Sequence, residues 1–158
     1  MTVVFQRVAR AAVTADGVLT GAIEKGMLLL VGIGPHDTEE DAALLAKKAV
    51  GLRVYEDETG RMNRSVEDIG GGVLCVSNFT LYGDCRRGKR PDFTGAGAPA
   101  MAKALYEVFL KEVDALLPGR VQSGVFGADM AIDMVADGPV TLLLDSDELK
   151  APRRGDKA

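Results

Sequence analysis

Residues 27–33 read MLLLVGI. A run of apolar and small residues this unbroken suits a strand buried on both faces, since alternation disappears when neither face meets water. VLCVSNF at 73–79 has the same character and reads as a second buried strand. Working outward, TVVFQRVA at 2–9 alternates and predicts a strand. Asp16-Gly17 is a tight-turn signal inside 12–23, which predicts a hairpin. After the break at Pro35-His36-Asp37, a helix should start near Asp37 or Thr38. Glu39, Glu40 and Asp41 suit its positive end, and Ala42, Leu45, Ala46 and Ala49 form its apolar face. Residues 52–69 look irregular, with a turn at Glu58-Thr59-Gly60. A second helix is predicted over 99–117, carrying Leu105, Val108, Phe109, Val113 and Leu116, and Pro118-Gly119 stops it. Strands at 130–136 and 139–145 flank Asp137-Gly138. About seven strands and two helices make a single mixed α/β domain over residues 1–146. The charged tail, 147–158, is expected to be disordered.

The composition fits one domain. The 158 residues are 47% apolar and 27% charged, with a net charge of -4. No apolar run approaches the roughly 20 residues that cross a bilayer. The N-terminal segment meets Arg7 too early for a signal peptide, so a cytoplasmic protein without a membrane partner is expected. An acidic chain does not coat nucleic acid non-specifically. Arg86, Arg87, Lys89 and Arg90 nevertheless form a local basic run in GDCRRGKRPDFTGAGA, the long aperiodic loop at 83–98. That run reads either as a solvated loop or as a phosphate contact, to which guanidinium forks are suited.

Catalytic options are few. Ser77 and Thr80 carry hydroxyls at the end of a buried strand, but a hydroxyl is a poor nucleophile without a base. The only imidazole, His36, sits in a loop with no motif around it, which argues against a triad. The plain alternative is that both hydroxyls bond backbone at a strand end. Cys75 alternates with Val73 and reads as core. Cys85 stands beside Arg86 and Arg87, which would lower its pKa, or is simply an exposed loop thiol. Neither has metal-ligand neighbours, so no metal is expected. Gly32-Ile33-Gly34 lacks the third glycine of a dinucleotide fingerprint. Gly138-Pro139 marks a turn or strand start, and composition alone assigns it no chemistry.

Longer motifs carry more. Ser77 to Asp84, SNFTLYGD, is similar to the SQFTLYGD signature of the D-aminoacyl-tRNA deacylases, and RRGKRPDF resembles that family's basic loop. Ala136 to Thr141, ADGPVT, is similar to its NxGPxT signature. Gln6-Arg7-Val8, GVFGADM at 124–130 and ALYEVF at 104–109 also fit, so the resemblance runs from residue 1 to about 146. Asn78 stands where the family has Gln, and Ala136 where it has Asn.

The resemblance implies a barrel-like sheet arrangement with two main helices, and a homodimer with active sites at its interface. It implies hydrolysis of D-aminoacyl-tRNA, and of glycyl-tRNA, with rejection of L-aminoacyl-tRNA and no cofactor. On its terms Ser77, Asn78, Phe79 and Thr80 line the aminoacyl pocket and offer backbone N–H groups. Gly138 and Pro139, joined by a cis peptide and held by Arg7, form a chiral gate in the partner's pocket. Ala102, Phe126 and Met130 line an adenosine site, and Arg86, Arg87, Lys89 and Arg90 meet the tRNA backbone. The alternative is a catalytically silent RNA- or protein-binding dimer of the same fold.

Overall fold

The structure, a computed structural model, describes residues 1–152. Strand β1 (Thr2–Ala15) turns at Asp16-Gly17 into β2 (Val18–Ile23), and β3 (Gly26–Gly32) follows. Asp16 and Gly17 both have positive φ, 49° and 81°, which a two-residue hairpin turn of matching twist requires. β1 uses one edge for two partners: Thr2–Val8 pairs with β3, and Ala11–Ala15 with β2. Helix α1 (Glu39–Gly51) begins at Thr38 with a capping box, in which Asp41 N–H donates to the Thr38 hydroxyl and Thr38 N–H to the Asp41 carboxylate. The region expected to be irregular contains a small hairpin, β4 (Tyr55–Glu56) and β5 (Met62–Arg64).

β6 (Gly72–Ser77) runs parallel to β3 and stops two residues before the predicted end. A 3₁₀ turn, Phe79–Tyr82, follows. Helix α2 (Pro99–Leu116) and β7 (Val121–Ser123, parallel to β6) lead to β8 (Met130–Asp145). The two strands predicted at 130–136 and 139–145 are one strand, because both halves pair with β1. The sheet order is β2-β1-β3-β6-β7, with β8 on the free edge of β1. Its ends nearly meet: a Cβ at Gly21 of β2 would stand 3.1 Å from the Ser123 carbonyl of β7. This is the barrel-like arrangement of the expectation.

β3 explains its own sequence. Met27, Leu29 and Val31 join the main core, formed with Leu45 and Ala46 of α1 and Phe109 and Val113 of α2. Leu28 faces the sheet interior with Val8, Val13, Leu74 and Val76. Both faces are covered, hence the continuous apolar run. The tail differs from its expectation where it is described. A short helix, α3 (Ser146–Lys150), caps on the Asp145 carboxylate, and Lys150 Nζ lies 2.7 Å from Asp41 Oδ1. These local partners order residues that their charge alone marked as solvated. Residues 153–158 lie outside the described residues.

Candidate active site

Where β6 gives way to the 3₁₀ turn, a cavity of about 720 Å³ opens. Leu30 and Val76 supply apolar strand surface to its lining. Ser77, Asn78 and Phe79 form one side; Pro99 and Ala102 at the start of α2, with Phe126, Met130 and Ile132, form the others. The structure thus brings together three of the four residues expected at the aminoacyl pocket and all three expected at the adenosine site. Thr80 is exposed beside the cavity rather than in its lining, and its hydroxyl donates to Asn78 Oδ1. Sequence reasoning missed Phe93, Thr94 and Gly97 as lining residues, although it singled out their loop. Phe93 meets Phe79 edge to face, with ring centroids 5.3 Å apart, so the loop caps the turn.

The turn lies close against backbone. A Cβ at Gly32 would stand 3.0 Å from Leu81 Cβ, and one at Gly34 3.0 Å from the Tyr82 ring. Gly32-Ile33-Gly34, discounted as a nucleotide fingerprint, is therefore the seat of the 3₁₀ turn. Burial pushes the Tyr82 phenol up to about 12, and its hydroxyl accepts from Thr2 Oγ1.

The amides of this segment divide sharply. Asn78 N–H donates to the Val31 carbonyl at 2.8 Å, and Ser77 N–H points at the Tyr106 hydroxyl oxygen. The Asn78 amide is therefore not open to a ligand, which departs from the expectation that all four residues offer donors. Phe79 and Thr80 begin the 3₁₀ turn, whose first amides have no carbonyl within the turn to bond, and no side chain caps them. Phe79 lines the cavity and Thr80 stands beside it, and among the described residues neither amide has a backbone partner.

Among the described residues, none that lines the cavity has an ionisable side chain. His36 is exposed in its loop and Cys75 is buried in the core, where desolvation pushes the thiol up to about 12. Cys85 lines a separate open hollow with Tyr82, Asp84 and Arg86. In the basic run, Arg86 is turned onto the Asp84 carboxylate, Nη2 to Oδ2 at 2.6 Å. Arg87, Lys89 and Arg90 are exposed and make no ion pair among the described residues.

Gly138 and Pro139 sit elsewhere. Gln6 pairs with Thr141 and Val8 with Ala136, so residues 137–140 of β8 bulge out opposite Arg7 alone. The Gly138-Pro139 peptide at the tip is cis, Gly138 has φ 117°, and both residues are exposed outside the lining of their own chain's cavity. Arg7 is buried behind them. Its Nη1 donates to the Val54 carbonyl at 2.7 Å and its Nε to the Asp137 carbonyl at 3.2 Å. A Cβ at Gly138 would stand 3.0 Å from Arg7 Nη2, so the guanidinium is the back wall of the bulge.

Comparison with known proteins agrees with this geometry. The family profile described as D-Tyr-tRNA(Tyr) deacylase matches residues 4–145. A D-aminoacyl-tRNA deacylase of Koribacter versatilis (strain Ellin345) is 54% identical over 147 residues, 92% of this chain and 97% of that one. Another, of Desulfatibacillum aliphaticivorans, is 51% identical over 146 residues, 92% and 99% of the two chains. A solved structure described as a c-Myc DNA unwinding element binding protein is similar at TM-score 0.86 and 39% identity, covering 92% and 98%. A probable eukaryotic D-amino acid tRNA deacylase, 18% identical, shares the fold at TM-score 0.79, with 91% and 99% covered. The chain belongs to the D-Tyr-tRNA(Tyr) deacylase family.

Proposed function

We propose that the chain hydrolyses the ester joining a D-amino acid to the terminal ribose of tRNA, and that main-chain groups and the substrate's own sugar do the chemistry. Water adds to the ester carbonyl, the bond to the ribose oxygen breaks, and the departing oxygen takes the proton. The observation that carries this reading is a cavity with no ionisable lining side chain, bordered by a turn whose first two amides have no backbone partner among the described residues. The Phe79 and Thr80 N–H groups meet the oxyanion as it develops, a role worth about 3–4 kcal/mol per donor. The neighbouring ribose hydroxyl positions the water. Ala102, Phe126 and Met130 receive the terminal adenosine, and Arg87, Lys89 and Arg90 meet phosphates further along the tRNA.

Two copies complete the site. Gly138 and Pro139 protrude from the surface, and Ile132, Met134 and Val135 on the same strand leave apolar side chains in solvent. Packing of this strand against a second copy would cover them and set each bulge into the other's cavity. There it is a wall that collides with an L side chain and passes a D one. Rejection by collision places no demand on the D side chain and cannot reject glycine.

The test is hydrolysis of D-, L- and glycyl-tRNA side by side, with a D-substrate whose terminal adenosine is 2′-deoxy. D- and glycyl-tRNA should be cleaved, L-tRNA spared and the 2′-deoxy substrate largely inert. Thr80→Ala should keep substantial activity, because its amide remains. Collapse of that variant with the fold intact would make the hydroxyl a nucleophile. Binding of D-aminoacyl-tRNA without turnover would favour the silent RNA-binding dimer.

A further inference from the structure

The amides of β6 face alternately toward its two neighbours. Val73 N–H donates to the Arg120 carbonyl, and the Cys75 carbonyl accepts from Gly124 N–H, each at 3.0 Å, on the β7 side. Asn78 N–H donates to Val31 on the β3 side. By this alternation Ser77 turns its N–H toward β7. No strand meets it there. β7 ends at Ser123, and the chain leaves through Gly124 toward Phe126, which opens the cavity.

A side chain of α2 takes the strand's place. Tyr106, 2% exposed, donates its hydroxyl to the Cys75 carbonyl at 3.0 Å. Strand alternation turns the Ser77 N–H toward this same side, where the hydroxyl stands. The Tyr106 ring lies 6.0 Å from the Phe126 ring, tilted by 40°. We infer that Tyr106 is a positioning residue for the deacylation step: its hydroxyl substitutes for the missing strand at the end of β6 while its ring supports Phe126. One side chain then sets the catalytic turn and the adenosine wall relative to each other. With the Asn78 amide on Val31 and the Ser77 amide turned toward the hydroxyl, the donors without a backbone partner begin at Phe79. Without the hydroxyl, the Ser77 amide is unpaired and competes with them for the substrate carbonyl. The inference rests on the deacylase reading for its chemistry and, for its geometry, on the alternation of β6 and the Tyr106–Cys75 hydrogen bond.

Tyr106→Phe removes one oxygen and keeps the ring against Phe126. Hydrolysis of D-aminoacyl-tRNA should show kcat about tenfold lower, less than the roughly 100- to 1000-fold cost of removing an oxyanion donor outright, and KM within about twofold. A role limited to holding the fold would lower the melting temperature and leave kcat of the folded enzyme unchanged. Amide hydrogen exchange supplies a second readout that needs no substrate. Ser77 should exchange at least about tenfold faster in the variant, with Asn78 as in the parent. Parental exchange at Ser77, or a parental kcat in the folded variant, would overturn the assignment. Absence of turnover by the parent would count against the deacylase reading and leave the exchange result to decide the geometry.

Discussion

Replacing Arg7 by methionine keeps the length of the side chain and removes its charge. Two losses follow. The bond to the Val54 carbonyl, 2.7 Å long, ends on a buried acceptor with no other hydrogen bond among the described residues, and a hydrogen bond from a charged group is worth about 1.5–3 kcal/mol. The contacts to Asp137, its carbonyl at 3.2 Å and its carboxylate at 3.3 Å, matter less, because that side chain is 42% exposed and regains water. Such a half-screened pair contributes no more than about 1 kcal/mol. Relief from burying a guanidinium offsets part of the loss. A net destabilisation of about 1–3 kcal/mol remains, or roughly 2–12 °C for a chain of this length. Calorimetry measures that directly. The functional consequence is separate. Arg7 backs the 137–140 bulge, so its loss frees the wall proposed to exclude L substrates. Parallel D- and L-aminoacyl-tRNA assays below the variant's melting point should show D-over-L discrimination falling about tenfold, the factor that 1.4 kcal/mol represents. The D rate should fall far less. A variant that melts early yet discriminates as the parent does would refute the role given to Arg7.

Two further outcomes are expected. Replacing Arg87, Lys89 and Arg90 together by glutamine should flatten the log–log salt dependence of tRNA binding by about 2, near 0.7 per lost contact, whereas Arg86→Gln should change it little because that guanidinium is already on Asp84. Burial raises the pKa of the Asp41 carboxyl, but bonds from Lys150 and Thr38 outweigh it and hold the group well below its usual 3.8. A depressed carboxyl stabilises the fold above the unfolded pKa and loses that effect as pH falls below it, so denaturation monitored downward from pH 5 should show a decline that Asp41→Asn lacks. At neutral pH that variant should be about 1–3 kcal/mol less stable, and a parent-like acid profile would contradict the assignment.

Much of the chain could be read residue by residue, for identifiable reasons. Thr38 and Asp41 form a cap from neighbours three apart, and Asp16-Gly17 turns a hairpin on its own backbone. SNFTLYGD and ADGPVT carried the site by resemblance, since both motifs are continuous in sequence. Limits appeared where a local signal met a distant partner. VLCVSNF looks like strand to its end, yet β6 stops at Ser77 because the turn after it settles on Gly32 and Gly34. Charge marked the tail from Asp147 as solvated, but Lys150 reaches Asp41 on another helix.

Composition left a single imidazole, and period and turn chemistry in the sequence determined the mixed α/β elements and the doubly covered strands. These depend on neighbours a few positions apart, which the order of residues states outright. Only the tertiary structure decided which amides lack a partner and what stands behind the Gly138-Pro139 bulge. Arg7 meets the Asp137 carbonyl across 130 positions, and the Tyr106 hydroxyl meets Cys75 across 31. Hydrogen-bond partners at that separation follow from strand register and from where a strand ends. Those are settled by packing the whole chain at once, not by any stretch of it.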